Sequence, residues 1–144
     1  MSTDMPSPVL EAALSYARRG WPVFPIRHKT KIPHTPRGFK DATTNETTIR
    51  GYWRRWPDAD VAIHTGLPET FDVVDVDPKN GGDASWEYII AGRELPETPT
   101  QQTGSGGRHY LFQHQPGFKN TAGAIAPGID TRGEGGYIVV APSM

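Results

Sequence analysis

The pattern of apolar and polar positions predicts helices and strands from the first residues onward. Ser7 and Pro8 form a typical helix start, because serine caps a helix and proline suits its first turn. Apolar residues then recur at helical spacing, and Gly20 follows a basic last turn, so we predict a helix over residues 8–19. Trp21–Ile26 contains two prolines and is predicted to be a short or edge strand.

Residues 27–45 are basic and rich in proline and glycine, which predicts a charged loop. Thr44 or Asn45 caps a second predicted helix that extends to about Trp56. Its inner side is predicted to carry an isoleucine and three aromatic residues, Ile49, Tyr52, Trp53 and Trp56. Aromatic residues at this spacing are more typical of a core than of a surface that stacks nucleic-acid bases. A short apolar strand follows at Val61–Thr65.

The stretch Phe71–Pro78 alternates valine with aspartate and ends at a proline, which predicts a strand with an acidic face. Side chains alternate across a strand at ~3.3 Å per residue, so Asp75 and Asp77 are predicted to lie on one face, roughly 6.6 Å apart. The valines of opposite parity are expected to enter a core. Asp72 has the other parity and is predicted to be a surface acid.

The remaining pattern predicts one more helix and three more strands. Asp83 is predicted to cap a helix over residues 84–91 that ends at Gly92. A strand follows at Arg108–Gln113. Residues 128–132 and 137–141 are predicted to form a hairpin across a glycine-rich turn. Hairpins imply antiparallel or mixed pairing, so the predicted fold class is α+β.

Composition narrows the class of protein. A length of 144 residues suits a single domain, and no stretch approaches the ~20 apolar residues of a membrane span. The chain has no cysteine and no secretory leader, so we expect a cytoplasmic protein without a membrane partner. Residues 1–55 carry ten Lys or Arg and four acids, whereas residues 56–144 carry five and twelve. This asymmetry suits a polyanion held beside a metal site, or it is an accident of surface charge.

Paired carboxylates are the first candidate chemistry. Asp75 and Asp77 repel each other on one strand face, so they are either solvated or neutralised by a cation, and oxygen ligands suit Mg²⁺, Mn²⁺ or Ca²⁺. Asp130, at the start of a later strand, would complete a cage of three acids. Three acids suffice to hold two divalent ions about 4 Å apart. Solvated acids at a strand end remain the alternative.

The glycine-rich segment at residues 104–107 is the second candidate. Its backbone N–H groups could form a nest for phosphate, and His109 just beyond it could donate to a phosphate oxygen. A tight turn and a structural histidine are the alternative interpretation. A calcium-binding loop at Asp75 is excluded, because Lys79 and Trp86 stand where ligands would be required.

Three short motifs occur in a specific order: Asp75-Val76-Asp77, Ser105-Gly106-Gly107-Arg108-His109 and Ile129-Asp130. Together they resemble the three motifs of the archaeo-eukaryotic primase superfamily. The chain is most similar to the bifunctional DNA primase/polymerase N-terminal (prim-pol) domain of phage, plasmid and actinobacterial replication proteins. The flanking sequence is similar as well, over residues 17–25, 31–33, 38–43 and 133–143.

The resemblance implies a nucleotidyltransferase that adds nucleotides from NTP or dNTP on a single-stranded DNA template during phage, plasmid or mobile-element replication. It implies that Asp75, Asp77 and Asp130 are catalytic and bind two Mg²⁺ or Mn²⁺ ions, and that His109 contacts the nucleotide's phosphates. The other predicted nucleotide-binding residues are Ser105, Gly106, Gly107, Arg108 and Arg132. The predicted DNA-binding residues are Lys31 and Lys40.

The resemblance also implies an RRM-like mixed or antiparallel sheet core over residues 69–144, packed with an N-terminal α/β part over residues 1–68. Family members usually continue further, so we expect a single catalytic domain (1–144) shortened at its C-terminus, with helicase or further primase modules as possible partners. Two other functions stay open from the residues. One is another metal-dependent phosphoryl transfer, such as that of a nuclease. The other is a non-catalytic nucleic-acid-binding fragment.

Overall fold

The computed structural model describes residues 7–91, 99–102 and 106–143. This part of the chain contains helices and two antiparallel sheets, which confirms the predicted α+β class. The helices are α1 (Pro8–Arg18), α2 (Glu46–Arg55) and α3 (Gly82–Ile90). The strands are β1 (Val23–Ile26), β2 (Asp60–His64), β3 (Asp72–Val76), β4 (Thr100–Gln102), β5 (Arg108–Phe112), β6 (Thr121–Ala126), β7 (Ile129–Arg132) and β8 (Tyr137–Val140).

The chain divides into two compact units. The first unit comprises the described residues up to His64 together with those from Tyr137 onward, and the second unit is Thr65–Gly136. None of the helices in the described ranges is long and apolar enough to cross a membrane.

The first unit contains α1, α2 and a sheet in the order β1-β2-β8. As predicted, α1 begins after Ser7, whose hydroxyl accepts hydrogen bonds from the N–H groups of Val9 and Leu10. Strand β1 lies at the edge of this sheet, also as predicted, because its proline, Pro25, has no N–H to donate to a neighbouring strand. Phe24 and Ala62 are fully buried in the core of this unit.

Helix α2 begins after Asn45, whose side-chain oxygen accepts a hydrogen bond of 2.9 Å from the Thr48 N–H. Ile49 and Trp53 are buried, as their spacing predicted. The Trp53 indole N–H donates to the carbonyl of Ala59 over 3.1 Å, so the ring is fixed in the core.

The second unit is built on a five-stranded sheet in the order β4-β5-β3-β7-β6, with β3 at its centre. One face of this sheet is covered by α3, where Val76, Trp86 and Ile129 form a buried cluster. Val74 packs against the same cluster, so the valines of β3 enter a core as predicted. Burial of this face leaves the other face of β3, which carries Asp75, for the polar residues described below.

Helix α3 begins at Gly82, after Gly81 at the N-cap, and not at Ala84 with Asp83 as the cap. The two glycines allow the chain to turn directly from the end of β3: Gly81 has a positive φ of 85°, and a Cβ on Gly82 would lie 2.5 Å from the Asp77 carbonyl oxygen. Gly92, predicted to end this helix, lies outside the described residues.

The predicted hairpin of residues 128–132 and 137–141 is wrong. Strand β7 pairs with β3 and β6, whereas β8 pairs with β2 in the sheet of the first unit. The glycine-rich connection is used differently: Gly133 and Gly136 accept hydrogen bonds from Thr65 through their carbonyl groups. The last strand therefore belongs to the first unit, whereas the sequence placed it with the sheet core.

The prediction for Asp72 is also wrong. Its side chain is buried, with the residue 2% exposed, because His114 and the backbone of Gln115 supply hydrogen bonds. The distances are 2.8 Å from the His114 Nδ1 and 2.7 Å from the Gln115 N–H. Parity alone did not reveal that a later loop covers this end of the strand.

Candidate functional site

The register of the second sheet aligns four polar residues in one row. Asp75 on the central strand β3 lies directly opposite His109 on β5 and directly opposite Asp130 on β7. His109 in turn lies opposite Gln101 on β4. Directly opposed residues of antiparallel strands project to the same face. We call these residues, Gln101, His109, Asp75 and Asp130, the carboxylate–histidine row.

His109 connects two members of this row. Its Nε2 lies 3.4 Å from the Asp75 Oδ2, and its Nδ1 lies 3.0 Å from the Gln101 Nε2. The residue is 8% exposed, so the ring is held by these neighbours with little competition from water. The sequence predicted His109 and Asp75 but missed Gln101, because the short, polar β4 has no apolar alternation to mark it as a strand.

Asp130 is held by the backbone of β6. Its Oδ1 accepts a hydrogen bond of 2.8 Å from the Gly123 N–H. The register of β6 shifts between Ala122 and Ala126, and Gly123 adopts a positive φ of 68° in this irregular part. Such a bulge redirects backbone groups, and here it aims an N–H at the carboxylate.

Asp77 lies one residue beyond the end of β3 and is still extended, with φ −106° and ψ 105°. Its two carboxylate oxygens accept hydrogen bonds from the Lys79 N–H at 3.0 Å and from the Asn80 Nδ2 at 2.6 Å. Asp77 therefore caps a one-turn 3₁₀ helix over Pro78–Asn80. The sheet itself brings together Asp75 and Asp130, and Asp77 follows at the strand end.

The chemistry of this donor set fits hard divalent cations. Two carboxylates directly opposed on neighbouring strands destabilise a sheet by like-charge repulsion, and a cation between them would remove that cost. Oxygen ligands are those that Mg²⁺ and Mn²⁺ prefer. In the part of the chain that the structure describes, no group of three or more His, Cys, Asp or Glu side chains is arranged to hold a metal ion.

The predicted nucleotide-binding arginines lie on different faces. Arg108 is next to His109 and points to the side of α3, where its Nη2 donates to the Asp83 Oδ1 over 2.7 Å. Burial lowers the pKa of Arg108, but its contacts with Tyr110 and Asp83 outweigh burial and leave the pKa above its ordinary value. The structure therefore separates Arg108 from the carboxylate–histidine row.

Arg132 shares the face of Asp130, and its Nη2 lies 3.9 Å from the Asp130 Oδ2. Its Nη1 donates to the carbonyl groups of Thr121 and Thr131, at 3.2 and 2.8 Å. These contacts hold the guanidinium beside the row.

The predicted phosphate nest falls only partly within the described residues. Ser105 lies outside them. Gly106 has a positive φ of 86°, and a Cβ there would meet no atom within 4 Å. Gly107 directly precedes β5 and is buried, so the last residue of the predicted nest adjoins the strand that carries His109.

The two predicted DNA-binding lysines both lie in the first unit. Lys31 is exposed, and its backbone carbonyl accepts a hydrogen bond of 2.8 Å from the Tyr137 hydroxyl. Lys40 is exposed within a one-turn 3₁₀ helix over Gly38–Asp41. The structure places both side chains on the basic unit and away from its core.

A cleft of about 570 Å³ lies on the same unit, beside α2. We call it the α2 cleft, and it is lined by Thr35, Pro36, Arg37, Asp41, Thr48, Gly51, Tyr52, Arg55 and Trp56. Trp56 stacks on His34 with ring centres 4.9 Å apart, and the Arg55 guanidinium carbon lies 5.0 Å from the Trp56 ring centre. The sequence predicted Tyr52 and Trp56 on the core side, whereas both are half-buried and face this cleft.

Two titratable rings lie in or beside the α2 cleft, Tyr52 in its wall and His34 stacked on Trp56. Burial lowers the pKa of His34, and the positive charge of Arg27 lowers it further. Burial raises the pKa of Tyr52, and the negative charge of Asp41 raises it further. The α2 cleft therefore combines aromatic rings with a guanidinium group.

Comparison with known sequences places the chain in a family. The fold and the row define an α+β protein with opposed carboxylates and a histidine on one sheet face. The sequence model of the bifunctional DNA primase/polymerase N-terminal domain matches residues 13–144. The chain belongs to this family. None of the curated proteins compared with this chain matches it.

Proposed function

We propose that this protein is a metal-dependent nucleotidyltransferase that adds nucleotides from NTP or dNTP on a single-stranded DNA template, in the replication of a phage, plasmid or other mobile element. The observation that carries the proposal is the register that sets Asp75 opposite both Asp130 and His109. Membership of the primase/polymerase family supports the same reaction class.

Asp75 and Asp130, with Asp77 at the strand end, would hold two Mg²⁺ or Mn²⁺ ions. When bound, such ions supply charge stabilisation for the attacking and leaving oxygens of a phosphoryl transfer. In the proposed reaction a primer 3′-hydroxyl, or the first nucleotide in de novo synthesis, attacks the α-phosphorus of a nucleoside triphosphate. The bond to pyrophosphate breaks, and pyrophosphate leaves.

His109 is proposed to bind the triphosphate. Its Nε2 faces the same space as the Asp75 carboxylate, so an N–H there can donate to a phosphate oxygen. Arg132 adds positive charge on the same face, beside Asp130. Ser105, Gly106 and Gly107 remain proposed backbone contacts to phosphate, whereas Arg108 would first have to leave Asp83.

The first unit is proposed to contact the DNA template. Residues 1–64 carry ten Lys or Arg and six Asp or Glu, and basic surfaces bind the phosphate backbone. Lys31 and Lys40 are exposed on this unit. In the α2 cleft, Arg55 and Trp56 combine a cation with an aromatic face, which is the combination that binds single-stranded nucleic acids.

The test is primer extension and de novo synthesis with labelled nucleotides on single-stranded DNA, with Mg²⁺ or Mn²⁺. Asp75→Asn and Asp130→Asn should each reduce incorporation by at least about 100-fold, because each removes a charge that holds the ions. Glu87→Gln is the matched control, since Glu87 is exposed on α3. It should leave incorporation unchanged.

Equal incorporation by the wild type and Asp75→Asn would show that the proposed metal site is wrong. If the protein degrades the labelled primer, and the His109→Ala variant still does so, the protein is a nuclease. Binding of DNA without incorporation, unchanged in both aspartate variants, would identify a non-catalytic nucleic-acid-binding domain.

A further inference from the structure

Gln101 occupies the end of the carboxylate–histidine row. It lies on β4, directly opposite His109, and its side-chain nitrogen is 3.0 Å from the His109 Nδ1. The other ring nitrogen, Nε2, is 3.4 Å from the Asp75 Oδ2. The imidazole therefore lies between an amide and a carboxylate, and each of them contacts a different ring nitrogen.

These two contacts select one tautomer of the neutral ring. In the orientation that the structure shows, the Gln101 amide presents its NH₂ group to Nδ1, and because NH₂ can only donate, this contact favours an Nδ1 without a proton. The single ring proton then lies on Nε2, where it faces the Asp75 carboxylate. The reverse arrangement would set the lone pair of Nε2 against a carboxylate oxygen, which is repulsive, so the carboxylate and the amide favour the same tautomer.

The length of the Asp75 contact matters for binding. A separation of 3.4 Å is longer than the ~2.9 Å of an ordinary hydrogen bond, so the contact is weak. The neighbours thus orient the Nε2–H group without forming a strong hydrogen bond to it. It remains able to donate to an oxygen of a ligand that reaches this face of the sheet.

We propose that Gln101 is a positioning residue, which holds His109 in the Nε2–H tautomer and fixes its ring so that this N–H donates to the phosphates of the incoming nucleotide. The inference rests on the proposed function for its ligand, whereas the tautomer itself is a property of the free protein. Gln101 acts through His109 and does not need to touch the nucleotide.

The neighbouring Gln102 supplies a matched control. It is on the same strand and has the same side chain, but it lies opposite Arg108 and therefore projects to the other face of the sheet. It is exposed. Gln102→Leu thus makes the same chemical change on β4 without removing a contact to His109.

The first measurement is the tautomer, by NMR of the full chain labelled with ¹⁵N in its histidine rings. His109→Ala assigns the signals of His109 among the five histidines. Under conditions where the ring is neutral, the wild type and Gln102→Leu should carry the proton on Nε2. Gln101→Leu should carry a larger share of the proton on Nδ1, because only the weak contact with Asp75 then favours Nε2.

The second measurement is steady-state nucleotide incorporation on a primed single-stranded template. Gln101→Leu should raise KM for the nucleotide by about two- to tenfold, the size expected from one hydrogen bond, with a smaller change in kcat. Gln102→Leu should change neither. Thermal unfolding of each variant shows whether the substitution also lowers the stability of the protein. A loss of stability alone would raise KM without redistributing the ring proton, so the NMR result distinguishes the two causes.

The two measurements separate the inference from the proposed function. A wild-type protein with the ring proton on Nδ1, or a Gln101→Leu variant with wild-type ring signals, would overturn the positioning role. An unchanged KM in Gln101→Leu, beside an active wild type, would overturn its link to nucleotide binding. A wild type that fails to incorporate nucleotides would refute the proposed function, while the NMR spectra would still decide the role of Gln101.

Discussion

At the scale of single residues, buried polar groups of the second unit are held by specific partners. The Asp72 carboxylate is almost fully buried and accepts hydrogen bonds from His114 and from the backbone of Gln115. The other ring nitrogen of His114 lies 3.6 Å from the Glu134 carboxylate, so this histidine ties the loop after β5 to two acids. These contacts join segments that are far apart in the sequence.

Asp72→Ala should lower the free energy of unfolding by about 3 kcal/mol, because it removes the buried carboxylate that pairs with the His114 Nδ1 and the Gln115 N–H. Asp58→Ala is the control, since Asp58 is exposed, and it should change stability by less than about 0.5 kcal/mol. Urea unfolding followed by circular dichroism measures both. Similar midpoints for the two variants would show that the Asp72 contacts do not contribute to stability.

At the scale of elements, capping side chains and glycines determine where helices and strands of this chain begin and end. Ser7 and Asn45 cap α1 and α2 with their side chains, as the sequence predicted. Strand β3 ends at Val76, and the carboxylate of the next residue, Asp77, caps the following turn. Two glycines then allow the backbone to approach closely. A Cβ on Gly82 would lie 2.5 Å from the Asp77 carbonyl oxygen, and a Cβ on Gly128 would lie 2.3 Å from the Gly82 nitrogen.

Two glycine-to-alanine changes should have opposite effects. Gly51 lies inside α2, where a Cβ would meet no atom within 4 Å, so Gly51→Ala should stabilise the protein by about 0.5–1 kcal/mol through helix propensity. Gly128 has a positive φ of 73° and no space, so Gly128→Ala should destabilise it. We expect a loss of about 2–4 kcal/mol from strain and overpacking.

Urea unfolding of the two glycine variants beside the wild type provides the measurement. The pair is matched in chemistry and differs only in backbone conformation and space. A Gly128→Ala variant as stable as the wild type would contradict the close contact between the end of β3 and the start of β7.

At the scale of the whole molecule, charge is divided between the two units. Residues 65–136 carry five Lys or Arg and ten Asp or Glu, so the unit with the carboxylate–histidine row is acidic, whereas the first unit is basic. A polyanionic template should be attracted to the basic unit and repelled by the acidic one unless cations neutralise it. Binding of single-stranded DNA is therefore expected to depend strongly on salt.

Arg55→Ala should weaken the binding of single-stranded DNA several-fold and reduce the slope of log K against log salt by about one unit, because it removes one cation of the α2 cleft. Arg50→Ala is the matched control on the same helix, since Arg50 is paired with Glu46 at 2.9 Å. Fluorescence anisotropy of a labelled oligonucleotide over a salt series provides the measurement. Equal slopes for the two variants would exclude the cleft as a phosphate contact.

Much of the fold followed from local sequence signals. Caps, apolar spacing and proline positions predicted the helices and the strands that form the core of each unit. Strands β4 and β6 were missed, because a short polar strand and an irregular strand of small residues lack the alternation that marks a half-buried strand. Both lie at the edges of their sheet, where burial imposes the weakest pattern.

The sequence predicted most residues of the candidate site but not the contacts between them. Asp75, Asp130 and His109 were identified from their motifs, and the structure brings these three together. Gln101 was missed, and the sequence did not reveal that Arg108 projects toward Asp83 of α3. Whether two residues of one strand share a face depends only on their spacing in the sequence. Which residues of other strands lie beside them depends on the register of the sheet.

The sequence by itself determined the family, the α+β class, the caps of α1 and α2 and the alternation that sets Val74 and Val76 on the face opposite Asp75. These properties depend on residues close together in the chain. Only the tertiary structure decided that Asp75 lies opposite both His109 and Asp130, that β8 joins the first unit, and that Asp72 is buried. Hydrogen bonding between distant strands sets register, and no local pattern encodes which distant strand will supply the partner.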